Sequence, residues 1–409
     1  MRETQGTDTA GAGGTHRDSG GERRGASPLD PRVWPLLLVC FVIAILIRLS
    51  LFGFAGNDFR YFMGPWYDHI ASHGGFRAMG SGFSDYSPPY LYLLAVATFL
   101  PLGKLYAIKL VSVLFDFVLA AGVALIVREK RRGAFMPACA FLVTLFAPTV
   151  VLNSALWGQN DAIFTSLLVL SVLFLARARG GPAMLMFGAA LAFKAQAVFL
   201  APLLLALLLK RQLKLAHLVL VPAVYAVLMI PAVVAGRPVG ELLTVYLRQA
   251  GEYRHLTMGA PNLYQWLPDN YGLFRTPGLL LTAAVVLVVC ALAVKAPLPL
   301  GPDAIVRLAM VSVLAVPFCL PGMHERYFFP ADVLSVAFAF YLPRFFYLPV
   351  VVGLVSTFAY VPFLFGMTVV AQPVLAIVLL AAILLVGADW VRSLGLEPAE
   401  KHAAGPGGG

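Results

Sequence analysis

Charge is what this sequence has least of. Asp, Glu, Lys and Arg make up 12% of its 409 residues, about half the roughly 25% usual in soluble proteins. Counting soluble domains by length therefore does not apply. Cysteine is scarce as well: Cys40, Cys139, Cys290 and Cys319 all fall in apolar runs without metal-ligand spacing. They read as core residues, which excludes a disulfide framework and a zinc site. Absent altogether are a P-loop, a Rossmann glycine fingerprint, an HExxH helix and a nucleophile elbow. That argues against nucleotide-driven chemistry, and no cofactor or metal ion is implied. No fixed-period repeat is visible.

What the chain has in quantity is apolar sequence, 60% of all residues, in many runs that approach the ~20 residues needed to cross a bilayer. The fold class is all-α, a polytopic membrane helical bundle. The net charge of +10 does not signal nucleic acid, because Lys and Arg concentrate in the cytoplasmic loops of membrane proteins. Residues 1–31, rich in Gly, Ser, Thr and Arg, are expected to form a disordered cytoplasmic tail. The first run, Val33 to Phe54, then crosses from inside to outside. Arg128 to Arg132, Arg177 with Arg179, Lys210-Arg211 with Lys214, Lys295, Arg344 and Arg392 mark further inside loops. For that bookkeeping to close, the run from Pro88 to Leu102 dips into the outer leaflet without crossing, and Met184 to Leu209 forms two short helices meeting at Lys194. The sum is about twelve spans within residues 32–395. External loops lie at 54–104 (with interfacial helices) and 237–276, and a second disordered tail occupies 396–409.

The remaining polar residues collect on the expected outer face. The first loop brings Asp58, Arg60, Tyr61, His69, Asp85 and Tyr86, and the stretch Trp157-Gly-Gln159-Asn-Asp161 comes from a second loop. Arg248, Glu252, Tyr253, Arg254 and His255 follow from the large loop, and His324-Glu325-Arg326-Tyr327 from a late one. Carboxylates beside arginines and aromatics at one membrane surface suit a reaction on a phosphorylated lipid. Arginine forks hold phosphate oxygens, aromatic rings face a sugar, and a carboxylate takes a hydroxyl proton. Asp58 reads either as a helix N-cap or as the base. Trp157 reads as an interfacial belt residue or as part of the site, and Asp161 as a cap or as a site residue. Inside the bilayer, Lys109, Asp116, Lys194, Arg307 and Asp332 need partners or water. Lys194 either pairs with Asp116 or touches the substrate phosphate, and Arg48 is placed to reach the same cavity.

Together these pieces resemble the GT-C superfamily of membrane glycosyltransferases. Within it they resemble the bacterial mannosyltransferases related to the second GPI mannosyltransferase and to the polyprenyl-phosphate-mannose-dependent enzymes. The matching residues are Asp58-Phe-Arg-Tyr61 with Trp66, Tyr86-Ser-Pro-Pro-Tyr90, Trp157-Gly-Gln-Asn-Asp161, Lys194-Ala-Gln196, Ala260-Pro-Asn-Leu-Tyr264 and Met323-His-Glu-Arg-Tyr327. The resemblance implies a polyprenyl-phosphate sugar donor, mannose before other hexoses, and inversion at the anomeric carbon. It also implies Asp58 as general base. The candidate substrate-binding residues are Arg60, Tyr61, Tyr86, Trp157, Gln159, Asp161, Lys194, Arg248, Glu252, His324, Glu325 and Arg326. The partners expected are the donor, a lipid or glycan acceptor and membrane lipids, with the site on the external side of the cell membrane. Two other readings share the outer-face chemistry: a transporter or flippase of a lipid-linked sugar, and an envelope polysaccharide polymerase or ligase.

Overall fold

The computed structural model describes residues 33–396. The tails expected at 1–31 and 396–409 lie outside them, Leu396 excepted. The chain enters through α1 (Trp34–Leu51), which shows Leu36, Leu38, Leu46 and Leu49 to its surroundings, as a lipid-facing helix does. A π-helical turn, Phe59–Met63, runs into α2 (Gly64–Ser72), followed by α3 (Pro88–Ala97) and the long α4 (Lys104–Lys130). Then come α5 (Phe135–Phe146), α6 (Pro148–Val151), α7 (Asp161–Ala176), α8 (Gly180–Phe193), α9 (Ala201–Leu209) and α10 (Leu220–Val234). The large loop holds α11 (Val239–Leu243), α12 (Val245–Glu252) and strand β1 (Thr257–Met258). The remaining elements are α13 (Tyr271–Lys295), α14 (Pro302–Cys319), strand β2 (Met323–His324), α15 (Phe329–Tyr341), α16 (Leu348–Phe365) and α17 (Gln372–Ser393).

Seven of these helices are long and apolar enough to cross a bilayer, and α5 with the segment after it, bent by 53°, makes an eighth. Five apolar stretches are shorter, α3, α7, α8, the segment ending in α9, and α15. At 1.5 Å per residue the ten residues of α3 extend about 15 Å, half the hydrocarbon thickness. The break after α8 falls at Lys194, which is extended (φ −150°, ψ 135°). From there the chain diverges: α8 packs on α7 and α10, and α9 on α13 and α14.

The core runs between α4, α5, α7, α14 and α15. A second cluster binds the first loop to it, with Met63, Trp66, Tyr67 and Ile70 packed against Leu91, Leu94 and Ile163. Met63, Trp66, Tyr67 and Ile70 of the first loop thus face protein.

The buried ions pair differently from the sequence expectation. Arg48 does not reach a cavity. Its Nε donates to Asp116 Oδ2 at 2.9 Å, and its other nitrogens to the carbonyls of Ala44 (3.1 Å) and Leu145 (2.9 Å). Asp116 is therefore taken, with Ser154 Oγ also donating to it at 2.5 Å, and it is not the partner of Lys194. Arg307 and Arg344 both donate to Asp389, and Asp332 accepts from Ser356 at 2.8 Å.

The two ends of the bundle differ in charge. At one end Lys130 pairs with Asp303, Arg131 donates to the Phe340 carbonyl at 2.9 Å, and Arg177 meets Glu129 at 2.6 Å. Across the roughly 40 Å of α4 lie the C-termini of α1, α8 and α14 and the N-termini of α7 and α15. The candidate site is built there.

Candidate active site

Asp58 is held by groups far away in sequence. Lys109, fully buried on α4, donates to the carbonyls of Leu51 (3.0 Å), Phe52 (3.1 Å) and Phe54 (2.7 Å). These include orphan carbonyls that a helix C-terminus leaves, so one ammonium fixes the path from α1 toward Asp58. The Asp58 side chain makes no cap bond to the helix it opens. Its Oδ2 instead accepts from Trp157 Nε1 at 3.0 Å and from Gln159 Nε2. Oδ1 is left for a proton. The donors are aimed by a second π-helical turn, Leu152–Trp157, that ends at Gly158 with φ +81°. A side chain there would meet Lys109 as well as the strained backbone. Residues 153–161, expected as an external loop, are buried throughout. Trp157 is 1% exposed and stacks on Phe363 at 5.0 Å, so it is no belt residue.

Asp161 opens α7 without acting as a cap. Oδ1 meets Lys194 Nζ, and Oδ2 accepts from Asn153 Nδ2 at 2.8 Å and lies 3.7 Å from Arg326 Nε. Lys194 is thus supplied with a counter-ion inside the site, and its ammonium also sits 5.8 Å from the Tyr86 ring.

The late motif is ordered by strand pairing. Thr257 opposes Met323 and Met258 opposes His324 in a parallel pair, and the Glu325 amide donates to the Met258 carbonyl at 3.2 Å. Arg326 follows directly. Its Nη1 donates to Glu325 Oε1 at 2.9 Å, and its guanidinium lies over the rings of Trp157 (5.4 Å) and Tyr327 (5.9 Å). The buried Nε has no hydrogen-bond partner among the described residues. That nitrogen faces Asp161, while the guanidinium as a whole lines the cavity, where it can receive an anion. Burial pushes the Glu325 carboxyl up, but His324 and the Arg326 charge outweigh it and hold the group below the usual carboxylate range. It stays charged as the arginine's partner.

A cavity of about 470 Å³ joins these groups. Asp58, Tyr86, Gln159, Lys194, Glu252, His324 and Arg326 line it, among apolar residues such as Phe62, Met63, Leu279 and Phe363. Trp157, Asp161 and Glu325 stand behind as hydrogen-bond or charge partners. Three expected residues are elsewhere. Arg60 and Tyr61 point away on the exposed side of their turn, Tyr61 being 71% exposed. Arg248 donates to the Glu241 carbonyl at 2.9 Å and lines a neighbouring pocket. Tyr90, Asn160 and Gln196, quoted in the motifs but not among the binding candidates, also line the cavity, as does Arg275, which sequence reasoning passed over. Asn160 and Tyr90 each carry a buried oxygen without a hydrogen-bond partner among the described residues. Their position inside the two polar motifs was the available signal. Asp85, at the cavity rim, has its carboxyl pushed up by burial and, with its own amide opposing, further by Glu252.

The chain is similar in fold to ArnT from Cupriavidus metallidurans bound to undecaprenyl phosphate, with a TM-score of 0.54 and 15% identity over 88% of this chain and 74% of that one. No curated protein matches the sequence. The profile of glycosyltransferase family 87 matches residues 83–321, a stretch that carries Tyr86, the Trp157 to Asp161 motif, Lys194 and the strand that orders Arg326. With more than half its length matched, this membrane protein belongs to glycosyltransferase family 87.

Proposed function

We propose that the protein transfers a hexose, mannose in our reading, from a polyprenyl phosphate to a hydroxyl of a lipid or cell-envelope acceptor at the outer face. The observation that carries this is the sharing of one cavity by a carboxylate, Asp58, whose hydrogen bonds fall on Oδ2, and a guanidinium, Arg326. The first suits an entering hydroxyl and the second a departing phosphate. The acceptor oxygen attacks the anomeric carbon from the face opposite the phosphate, the C1–O bond to the phosphate breaks, and configuration inverts. The hydroxyl proton passes to Asp58, while Arg326, with Lys194 close by, takes up the charge on the polyprenyl phosphate. Apolar lining at Phe62, Leu279 and Phe363 suits the first isoprene units. The undecaprenyl phosphate of the ArnT structure supports a lipid-phosphate donor, and family membership favours transfer over transport. Basic residues at the opposite end of the bundle support an outward-facing site through the positive-inside rule.

The test is purified protein in lipid nanodiscs given labelled polyprenyl phosphates of several sugars. Mannose should be released or transferred fastest. Turnover of nucleotide sugars alone would overturn the donor, and preference for another sugar would overturn mannose.

A further inference from the structure

Beside the main cavity lies a second, of about 350 Å³, lined among others by Gly82, Asp85, Arg237, Glu241, Arg248 and Glu252. The two share a wall, because Asp85, Gln249 and Glu252 line both. That wall is pinned by Gln249 Nε2, which donates to the Asp85 carbonyl at 2.5 Å. Arg237 is 3% exposed, and neither its Nε nor its Nη1 has a hydrogen-bond partner among the described residues. Glu241 Oε2 stands 3.5 Å from Nε as its ion-pair partner. Arg237 and Arg248 both line the pocket, so it suits a ligand that offers acceptors. Two arginines face three carboxylates there, Asp85, Glu241 and Glu252. A dianionic phosphate would meet a surplus of negative charge, whereas sugar hydroxyls both accept from guanidinium and donate to carboxylate.

We infer that this second pocket is the acceptor subsite, which takes a carbohydrate headgroup and presents one of its hydroxyls across the Asp85–Gln249 wall to Asp58. It rests on the transfer reading above, with the lipid-linked donor in the main cavity. The pocket's floor explains a glycine: a Cβ on Gly82 would stand 3.2 Å from Glu241 Oε2 and 3.6 Å from Arg237 Nη2. Gly82 is exposed and its φ is not positive, so a larger residue there fills the pocket from outside the core.

The experiment uses the full chain in nanodiscs, polyprenyl-phosphate mannose as donor, and the methyl glycosides of mannose, glucose and galactose as soluble acceptor probes. Gly82→Val and Arg237→Gln should each raise the KM for the glycoside used by the wild type about tenfold, the loss of one charge-assisted hydrogen bond or of its room. The donor KM should stay within about twofold, because uniform binding of the donor is untouched. In parallel, saturation-transfer NMR without donor should show glycoside contact in the wild type and its loss in Gly82→Val. Equal losses for donor and acceptor, unchanged glycoside KM in Gly82→Val, or a wild type that consumes donor but uses and binds no glycoside would each overturn the subsite. Displacement of the glycoside signal by inorganic phosphate would also overturn it, in favour of an anion site. A wild type that binds glycosides through Gly82-dependent contacts but never consumes the donor would refute the transfer reading and leave the carbohydrate pocket standing.

Discussion

At the scale of single residues, the site depends on which partner each buried charge finds. Arg326 donates to Glu325, lies over Trp157 and turns Nε toward Asp161. Arg326→Lys retains the charge but loses the fork, so the donor KM should rise about tenfold or more with the fold intact; an unchanged donor KM would remove the phosphate role. Arg48 and Asp116 are 1% and 0% exposed, so removing one partner strands the other. Arg48→Met should cost about 3–5 kcal/mol, and Arg48→Met with Asp116→Leu should recover most of it. Thermal denaturation of both variants checks this. The polar residues themselves were legible, because few residues in so apolar a chain lack a topological reason to be polar. Their pairings were not: Asp116 and Asp161 are both acids in reach of the bundle interior, and only tertiary packing gives Arg48 of α1 to the first, on α4, and Lys194 to the second, where α8 packs on α7.

At the scale of elements, helix ends do the positioning. The large loop is clasped where Asp269 accepts from the Leu256 amide at 2.8 Å and faces His255 Nδ1 at 2.6 Å. A carboxylate only accepts, so Nδ1 carries the proton. The His255 bond, and after it the Leu256 amide, hold the Asp269 carboxyl below the usual carboxylate range. A group whose folded pKa is depressed adds stability above its unfolded pKa of about 4, and that contribution is lost as pH falls through the lower folded value. The hydrogen-exchange protection factors at residues 255–258 should therefore be high at neutral pH and fall under acid. In Asp269→Asn protection should be low throughout; protection independent of pH and of this substitution would exclude the clasp. Pro88 and Pro89 announced the start of α3, and Lys194 the end of α8. The π-helical turns at Phe59–Met63 and Leu152–Trp157 were not legible, since an inserted residue leaves no mark on a helical hydrophobic pattern. Those turns rotate Arg60 and Tyr61 outward and bring Trp157 inward, which accounts for three of the differences at the site.

For the molecule as a whole, composition alone announced a helical membrane bundle, because apolar runs and scattered basic loops leave few other folds. Number of spans was less legible. Five apolar stretches of 10–17 residues are covered by neighbours, and a buried helix can stop short of the bilayer width. The polarity of the bundle predicts its orientation. In a background with Cys40, Cys139, Cys290 and Cys319 replaced, a cysteine at Arg132 should resist an external impermeant reagent and one at Arg254 should react; the reverse pattern would put the site in the cytoplasm. The central claim is that Asp58 accepts the proton of the incoming hydroxyl. Because its side chain makes no cap bond, Asp58→Asn leaves the local helix its backbone bonds, and an amide oxygen still accepts from Trp157 and Gln159. Sugar transfer from polyprenyl-phosphate mannose by this variant is the most direct measurement. The account predicts turnover reduced by about 10²–10⁴-fold with donor KM and melting temperature near those of the wild type; an Asp58→Asn enzyme that transfers mannose at the wild-type rate would contradict it.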